Sequence, residues 1–326
     1  MITPTDTPGS HVPRTVADVG EFAVIDRAVA GRVQPPTTLL GPGDDAALVR
    51  AGDGRVVVST DMLVQDRHFR LDWSSPRDVG RKAVAQNAAD VAAMGARPTA
   101  FLVSLGLPPD TPVEVADGIS AGIWDSAEEL GAGVVGGDLV QAGHVVISVT
   151  ALGDLGGQRA VLRSGALAGD VVAVAGTLGA SAGGLALFLA GSTRFPGLLA
   201  AHRVPSPPYA AAWAAAEAGA HSMTDISDGL LADLGHIGAA SGVGMSLVRE
   251  DLAVSPDLVS AAAVLGTDYW EWVLTGGEDH GFAATFPSDV PLPEGWFRIG
   301  TVHEGSGISV DGRRWPGASG WQSFSV

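Results

Sequence analysis

The stretch that most limits how this chain folds is G-P-G-D-D-A-A at positions 41–47, followed by Val56-Val57-Val58 and then Ser59-Thr60-Asp61. Asp44 and Asp45 are adjacent in a glycine-proline turn, where two carboxylates repel unless a cation neutralises them. An acidic surface turn would look the same if it stood alone. The β-branched run predicts a strand with Ser59-Thr60-Asp61 at its end. Acids in similar settings then recur along the chain, which is the usual layout of a site carried on the loops of a rigid scaffold.

The next such acid is Asp90. Ser75 as N-cap, Pro76 at the first helical position and Asp78 three residues after the cap predict a helix running to Met94, stopped by Gly95 and Pro98. Asn87 and Asp90 share one face of it with Val79, Ala83 and Met94, so Asp90 is either a partly exposed helix acid or a metal ligand on a rigid element. A strand is expected at 101–107 and a helix at 113–130. Val134-Val135 then lead to Gly136-Gly137-Asp138, expected as a second strand end where missing side chains let backbone approach a phosphate. After a strand at 145–153, a boundary near Gly156-Gly157 separates a flexible tail (1–15) and an N-terminal domain (16–155) from a C-terminal α/β domain (156–326).

The second half is expected to carry a strand at 171–175 and helices at 180–190 and 210–218. In T-D-I-S-D-G-L-L-A-D-L, Asp225 ends a strand, and Ser227 or Asp228 caps the next helix. A strand at 270–274 should end in T-G-G-E-D-H, and strands near 281–286, 297–302 and 307–310 follow.

Charge and composition exclude several classes. A net charge of −17 argues against nucleic-acid binding through phosphate contacts. Lys82, the single lysine, is expected to snorkel from its helix, and no G-x-x-x-x-G-K-[ST] loop is present. No run of 18 apolar residues suggests a membrane span, and zero cysteines rule out thiolate chemistry and point to a cytoplasmic protein. Asp44, Asp45, Asp61, Asp90, Asp138, Asp225 and Asp228 together describe a site in which several Mg²⁺ ions join carboxylates to phosphate oxygens, with Arg163 as a guanidinium fork. These residues reach a metal-dependent, phosphate-handling protein and no further.

The ordered set G-P-G-D-D-A-A, S-T-D-M-L-V, H-F, K-A-V-A-Q-N-A-A-D-V-A-A-M-G-A, G-G-D, R-S-G-A, D-I-S-D-G-L-L-A-D-L and G-G-E-D resembles the thiamine-monophosphate kinases, within the aminoimidazole ribonucleotide synthetase-like superfamily. The resemblance implies an α/β (α+β) two-domain fold, with N-terminal strands forming a barrel shared across a homodimer. It implies ATP- and Mg²⁺-dependent phosphorylation of thiamine monophosphate to thiamine diphosphate, the last step in making that cofactor. By motif, Asp45, Ser59, Thr60, Asp61, Asp90, Asp138, Asp225 and Asp228 resemble metal ligands. Gly137, Asp138, Arg163 and Ser227 resemble ATP contacts, and His68, Glu278 and Trp321 resemble thiamine-phosphate contacts. His280-Gly281-Phe282 depart from the Tyr-Glu-Leu common after Gly-Gly-Glu-Asp. Trp321 is either a cation–π partner for thiazolium or a tail anchor. The acceptor is itself an anionic phosphate, so direct in-line transfer with no protein general base is expected. A cyclo-ligase that releases inorganic phosphate and a non-catalytic nucleotide-binding protein are the alternatives.

Overall fold

A computed structural model describes residues 14–42, 46–317 and 320–321. Asp44 and Asp45, the opening feature of the sequence, lie outside the described residues. Helices α1 (Val16–Val19) and α2 (Glu21–Val29) and an antiparallel strand pair, β1 (Thr38–Leu40) with β2 (Leu48–Val49), precede the first sheet. That sheet is built from β3 (Val57–Val64), helix α3 (Pro76–Ala93), β4 (Arg97–Leu107), helix α4 (Val113–Glu129), β5 (Gly133–Gln141) and β6 (Val146–Asp154), with strand order β3-β6-β4-β5. The β4–β5 pair is parallel, bridged by α4, and the others are antiparallel.

The helix α3 starts as its sequence prescribes. Ser75 and Asp78 form a reciprocal capping box, and Pro76 sits in the first turn. It lies on one face of the sheet and against α4, close enough that glycine is required at the crossing. A Cβ at Gly80 would lie 2.1 Å from the Ile119 carbonyl oxygen, and one at Gly122 would lie 2.0 Å from that of Arg77. Along β3 the inward residues Ser59, Asp61 and Leu63 face α3, while Val58, Thr60 and Met62 are exposed on the outer face.

The second sheet collects β7 (Val171–Ala175), β8 (Ser222–Asp225), β9 (Val243–Leu247), β10 (Phe282–Phe286), β11 (Trp296–Glu304), β12 (Gly307–Val310) and β13 (Arg313–Arg314) in the order β13-β12-β9-β11-β7-β10-β8. Its pairs are antiparallel except β12 with β9. Helices α5 (Ala180–Leu189), α6 (Pro196–Arg203), α7 (Tyr209–Glu217), α8 (Leu230–Ser241), α9 (Pro256–Leu265) and α10 (Tyr269–Thr275) surround it. The alanine face of α3 (Ala89, Ala92, Ala93) packs with Ala173, Ala212, Met223, Phe282 and Phe286, so one helix serves both halves. No helix among the described residues is long and apolar enough to cross a membrane.

Three expectations are corrected. Residues 270–274 form helix α10, capped by Asp268, with Val273 and Leu274 buried and Glu271 exposed. The aromatic run looked like a strand, but helical burial and the aspartate cap decide it. Ser59-Thr60-Asp61 lie within β3, and Gly137-Asp138 within β5, rather than at strand ends. Lys82 does not snorkel: it is 1% exposed.

Candidate active site

The site begins where β3 and α3 face each other. The Ser59 hydroxyl donates to Asp90 Oδ2 at 2.6 Å, and the Asp61 backbone N–H donates to Asn87 Oδ1 at 2.9 Å. Gln86 Nε2 reaches Asp61 Oδ2 at 3.3 Å. Strand alternation and helical spacing therefore put two carboxylates, from β3 and from α3, on one surface.

The second half supplies the third. Asp225 closes β8 and is almost fully buried, with its Oδ2 3.0 Å from His280 Nδ1. It stands close enough to oppose ionisation of both acids from the first half. Burial, then repulsion by Asp225, pushes Asp90 up to about 7, although its bond from Ser59 works the other way. Asp61 is raised by the same two causes in the same order. His280 is disfavoured as a cation by burial, yet its bond and charge attraction to Asp225, with Glu278 nearby, together outweigh this and raise its pKa.

Beyond Asp225 the chain turns into α8. Asp233 Oδ2 accepts the backbone N–H groups of Ser227, Asp228 and Gly229 at 3.0, 3.0 and 3.1 Å, which orders the loop between β8 and α8. Burial, then Asp225 and Asp228, raises Asp233 to about 7. Ligand oxygens of Asp228 and Asp233 and a ring nitrogen of His236 lie within 4.8 Å of one another. The Arg163 guanidinium donates to Thr224 Oγ1 at 3.2 Å, beside Asp225, and the Trp321 backbone N–H donates to the Asp228 carbonyl at 2.9 Å.

The turn Gly276–His280 runs past this group. Glu278 and His280 both hold positive φ, 64° and 52°, a conformation that side chains disfavour. Three consecutive side chains fix it. Glu278 is ion-paired with Lys82 at 2.9 Å, Asp279 accepts the N–H groups of Gly179 and Ser181 at the start of α5, and His280 binds Asp225. Burial is the largest influence on Glu278 and opposes its ionisation, but Lys82 together with His202 and His280 outweighs it and holds the carboxyl below its usual range.

Residues 43–155 match the family described as AIR synthase related protein, N-terminal domain. A thiamine-monophosphate kinase of Mycobacterium tuberculosis (strain H37Rv) is 59% identical over 312 residues, 95% of this chain and 93% of that protein. The chain belongs to the thiamine-monophosphate kinase family. Among solved structures of this family, the enzyme from Aquifex aeolicus superposes with a TM-score of 0.76 at 31% identity, covering 93% of this chain and 99% of that one. AaThiL complexed with AMPPCP and TMP gives 0.78 at 32% identity, covering 97% and 100%.

Of the kinase-family residues expected from the sequence, the fold gathers Ser59, Asp61, Asp90 and Asp225 in one place, with Asp228, Ser227 and Arg163 on the adjoining β8–α8 side. Two are not brought to that place within one chain. Asp138 pairs across the sheet with Ser104, and the same row runs on to Ser148 and Met62, which places it on the outer face. Thr60 also faces outward, its hydroxyl donating to the Val149 carbonyl at 3.0 Å. Alternation with a period of two separates both from Asp61, which a strand-end reading could not reveal. At Gly137 a Cβ would lie 2.0 Å from the Val103 carbonyl oxygen, so the close approach of β4 by itself requires a glycine there. His68 accepts the Val64 N–H on Nδ1 at 3.0 Å, which leaves Nε2 as the protonated nitrogen of the neutral ring. The sequence reading missed His280, Asp233 and Lys82. For Asp233 a signal existed, a lone acid among the leucines of L-L-A-D-L, a position that demands a partner.

Proposed function

We propose that this protein transfers the γ-phosphoryl group of ATP to thiamine monophosphate, giving ADP and thiamine diphosphate. The observation that carries the reading is the meeting of Asp61, Asp90 and Asp225, drawn from both halves of the chain, at a place where they repel one another. Membership of the thiamine-monophosphate kinase family and the likeness to AaThiL complexed with AMPPCP and TMP support it.

Mg²⁺ fits this place. The donors are hard carboxylate oxygens, buried and then crowded enough to raise one acid to about 7, and the only lysine is committed to Glu278. Asp61, Asp90 and Asp225 would hold such ions, with Ser59 and Asp228 beside them. Bound there, divalent cations supply the positive charge that phosphate oxygens require during transfer.

The chain's own groups do the rest. Ser59 and Gln86 orient the two first-half acids, and His280 fixes Asp225. Arg163, beside Thr224, offers a guanidinium to a nucleotide phosphate. His68 and Glu278 face the acceptor, and Trp321 offers an exposed aromatic surface to its thiazolium cation. The acceptor phosphate is dianionic near neutral pH and attacks in line without a protein base.

The proposal includes a homodimer. Val58, Met62, Leu102 and Val140 are exposed on the outer face of the four-stranded sheet, which a second copy would cover in a shared barrel, carrying Asp138 and Thr60 with it. It also includes a division at residue 156, supported by the first sheet ending at Asp154 and the second starting at Val171, and a cytoplasmic location where ATP is held. The test is steady-state ADP release with each component omitted in turn. Release should need both thiamine monophosphate and Mg²⁺; release without the acceptor, or in EDTA, would refute the reading.

A further inference from the structure

Lys82 is the one lysine of the chain and among its largest fully buried side chains, and nothing in the transfer reaction uses it. Its ammonium makes three contacts that join distant segments. It donates to the His68 carbonyl at 2.9 Å and the His202 carbonyl at 3.3 Å, and it pairs with Glu278 Oε1 at 2.9 Å. An ammonium has three N–H donors, so all are spent. A buried, fully committed cation does not meet a substrate. Glu278, whose side chain is 30% exposed, is open to one.

The three contacts hold the acceptor side of the site. His68 lies in the first half, directly after β3, and Glu278 lies in the strained turn of the second half. The other end of the same turn is tied to the metal-side acids through His280 and Asp225. Lys82 is thus the anchor that sets the position of the acceptor groups relative to the first half. The ring of His202 adds a second contact to Glu278, 3.7 Å from Oε2, and itself rests on Ser181 Oγ at 3.1 Å. Burial and the nearby Lys82 lower His202 to about 4, so it stands there as a neutral ring and leaves charge pairing to the lysine.

We propose that Lys82 is a positioning residue for the acceptor substrate: through Glu278 and the His68 backbone it fixes the pocket for thiamine monophosphate, and it leaves ATP binding untouched. This rests on the kinase reading given above. A buried ion pair with a structural role alone would lower stability and change both Michaelis constants together, or neither. A positioning role separates them.

The experiment is steady-state kinetics of the full chain as wild type, Lys82→Met, Glu278→Gln and the double variant, each checked for folding by circular dichroism. Lys82→Met should raise KM for thiamine monophosphate at least about 10-fold and shift KM for ATP by less than about 2-fold. The double variant should be no worse than the more impaired single variant, because the lysine acts through the glutamate. If Lys82→Met does not fold, Lys82→Gln keeps a donor for the His68 carbonyl without the charge and reads the same ratio. An unchanged KM for thiamine monophosphate, equal rises in both constants, or additive single effects would overturn the proposal. Wild-type protein with no acceptor-dependent ADP release would instead sink the kinase reading, before any variant is compared.

Discussion

Replacing Asp90 by Asn should make the metal-free protein more stable while destroying its activity. Asp90 is raised from 3.8 to about 7, chiefly by burial and then by Asp225. The sign follows from proton linkage. Below the unfolded pKa both states carry the proton and the group contributes nothing. Between there and about 7 only the folded state keeps it, so stability falls as pH rises, and above 7 the full cost is present. At about 1.4 kcal/mol per pH unit the cost is about 4 kcal/mol, and repulsion shared with Asp61 and Asp225 reduces it to about 2–4 kcal/mol. Asn keeps an oxygen for the Ser59 hydroxyl and removes the charge. Urea unfolding in EDTA should therefore show the variant about 2–4 kcal/mol more stable than wild type at pH 8, with the difference about halved at pH 5.5 and nearly gone at about pH 4. Excess Mg²⁺ should close the gap at pH 8 by stabilising wild type alone. A variant no more stable than wild type at pH 8 would refute the idea that these acids are held together against their mutual repulsion.

Other outcomes follow from particular contacts. Gly80→Ala drives a methyl into the Ile119 carbonyl and should cost about 1–3 kcal/mol in denaturant unfolding, because α3 and α4 must separate. Asp279→Ala strips acceptors from the Gly179 and Ser181 N–H groups and should destabilise by about 1–3 kcal/mol, read by the same melts. Met62→Glu puts a charge on the outer sheet face and should shift the sedimentation coefficient from that of the proposed dimer to that of a monomer; an unchanged coefficient would remove that face as the proposed contact.

Much of this was legible in the sequence, and the reasons differ by element. The start of α3 was written in Ser75, Pro76 and Asp78, because capping is a local chemistry that three residues specify. Asp225 at the end of a strand was legible because that residue type rarely appears there without cause. What failed depended on facts that no short window contains. Whether Asp138 shares a face with Asp61 is decided by register across four strands, and Lys82 looked like a surface residue because its partner, Glu278, is far away in sequence. The strained turn at Glu278 and His280 is likewise fixed by contacts from β8, α3 and α5, none of which lies near it in the chain. For 270–274, aromatic content suggested a strand where the cap at Asp268 and the one-sided burial make a helix.

Acids from the two halves are proposed to join ATP to an anionic acceptor through divalent cations. Phosphorus-31 NMR of the protein with ATP, Mg²⁺ and thiamine monophosphate tests it most directly. Loss of the thiamine monophosphate signal, with a new pair of diphosphate resonances growing in step with ADP, is the predicted result, and Asp225→Asn should abolish it. Inorganic phosphate appearing in place of a diphosphate, or full turnover by Asp225→Asn, would contradict the account.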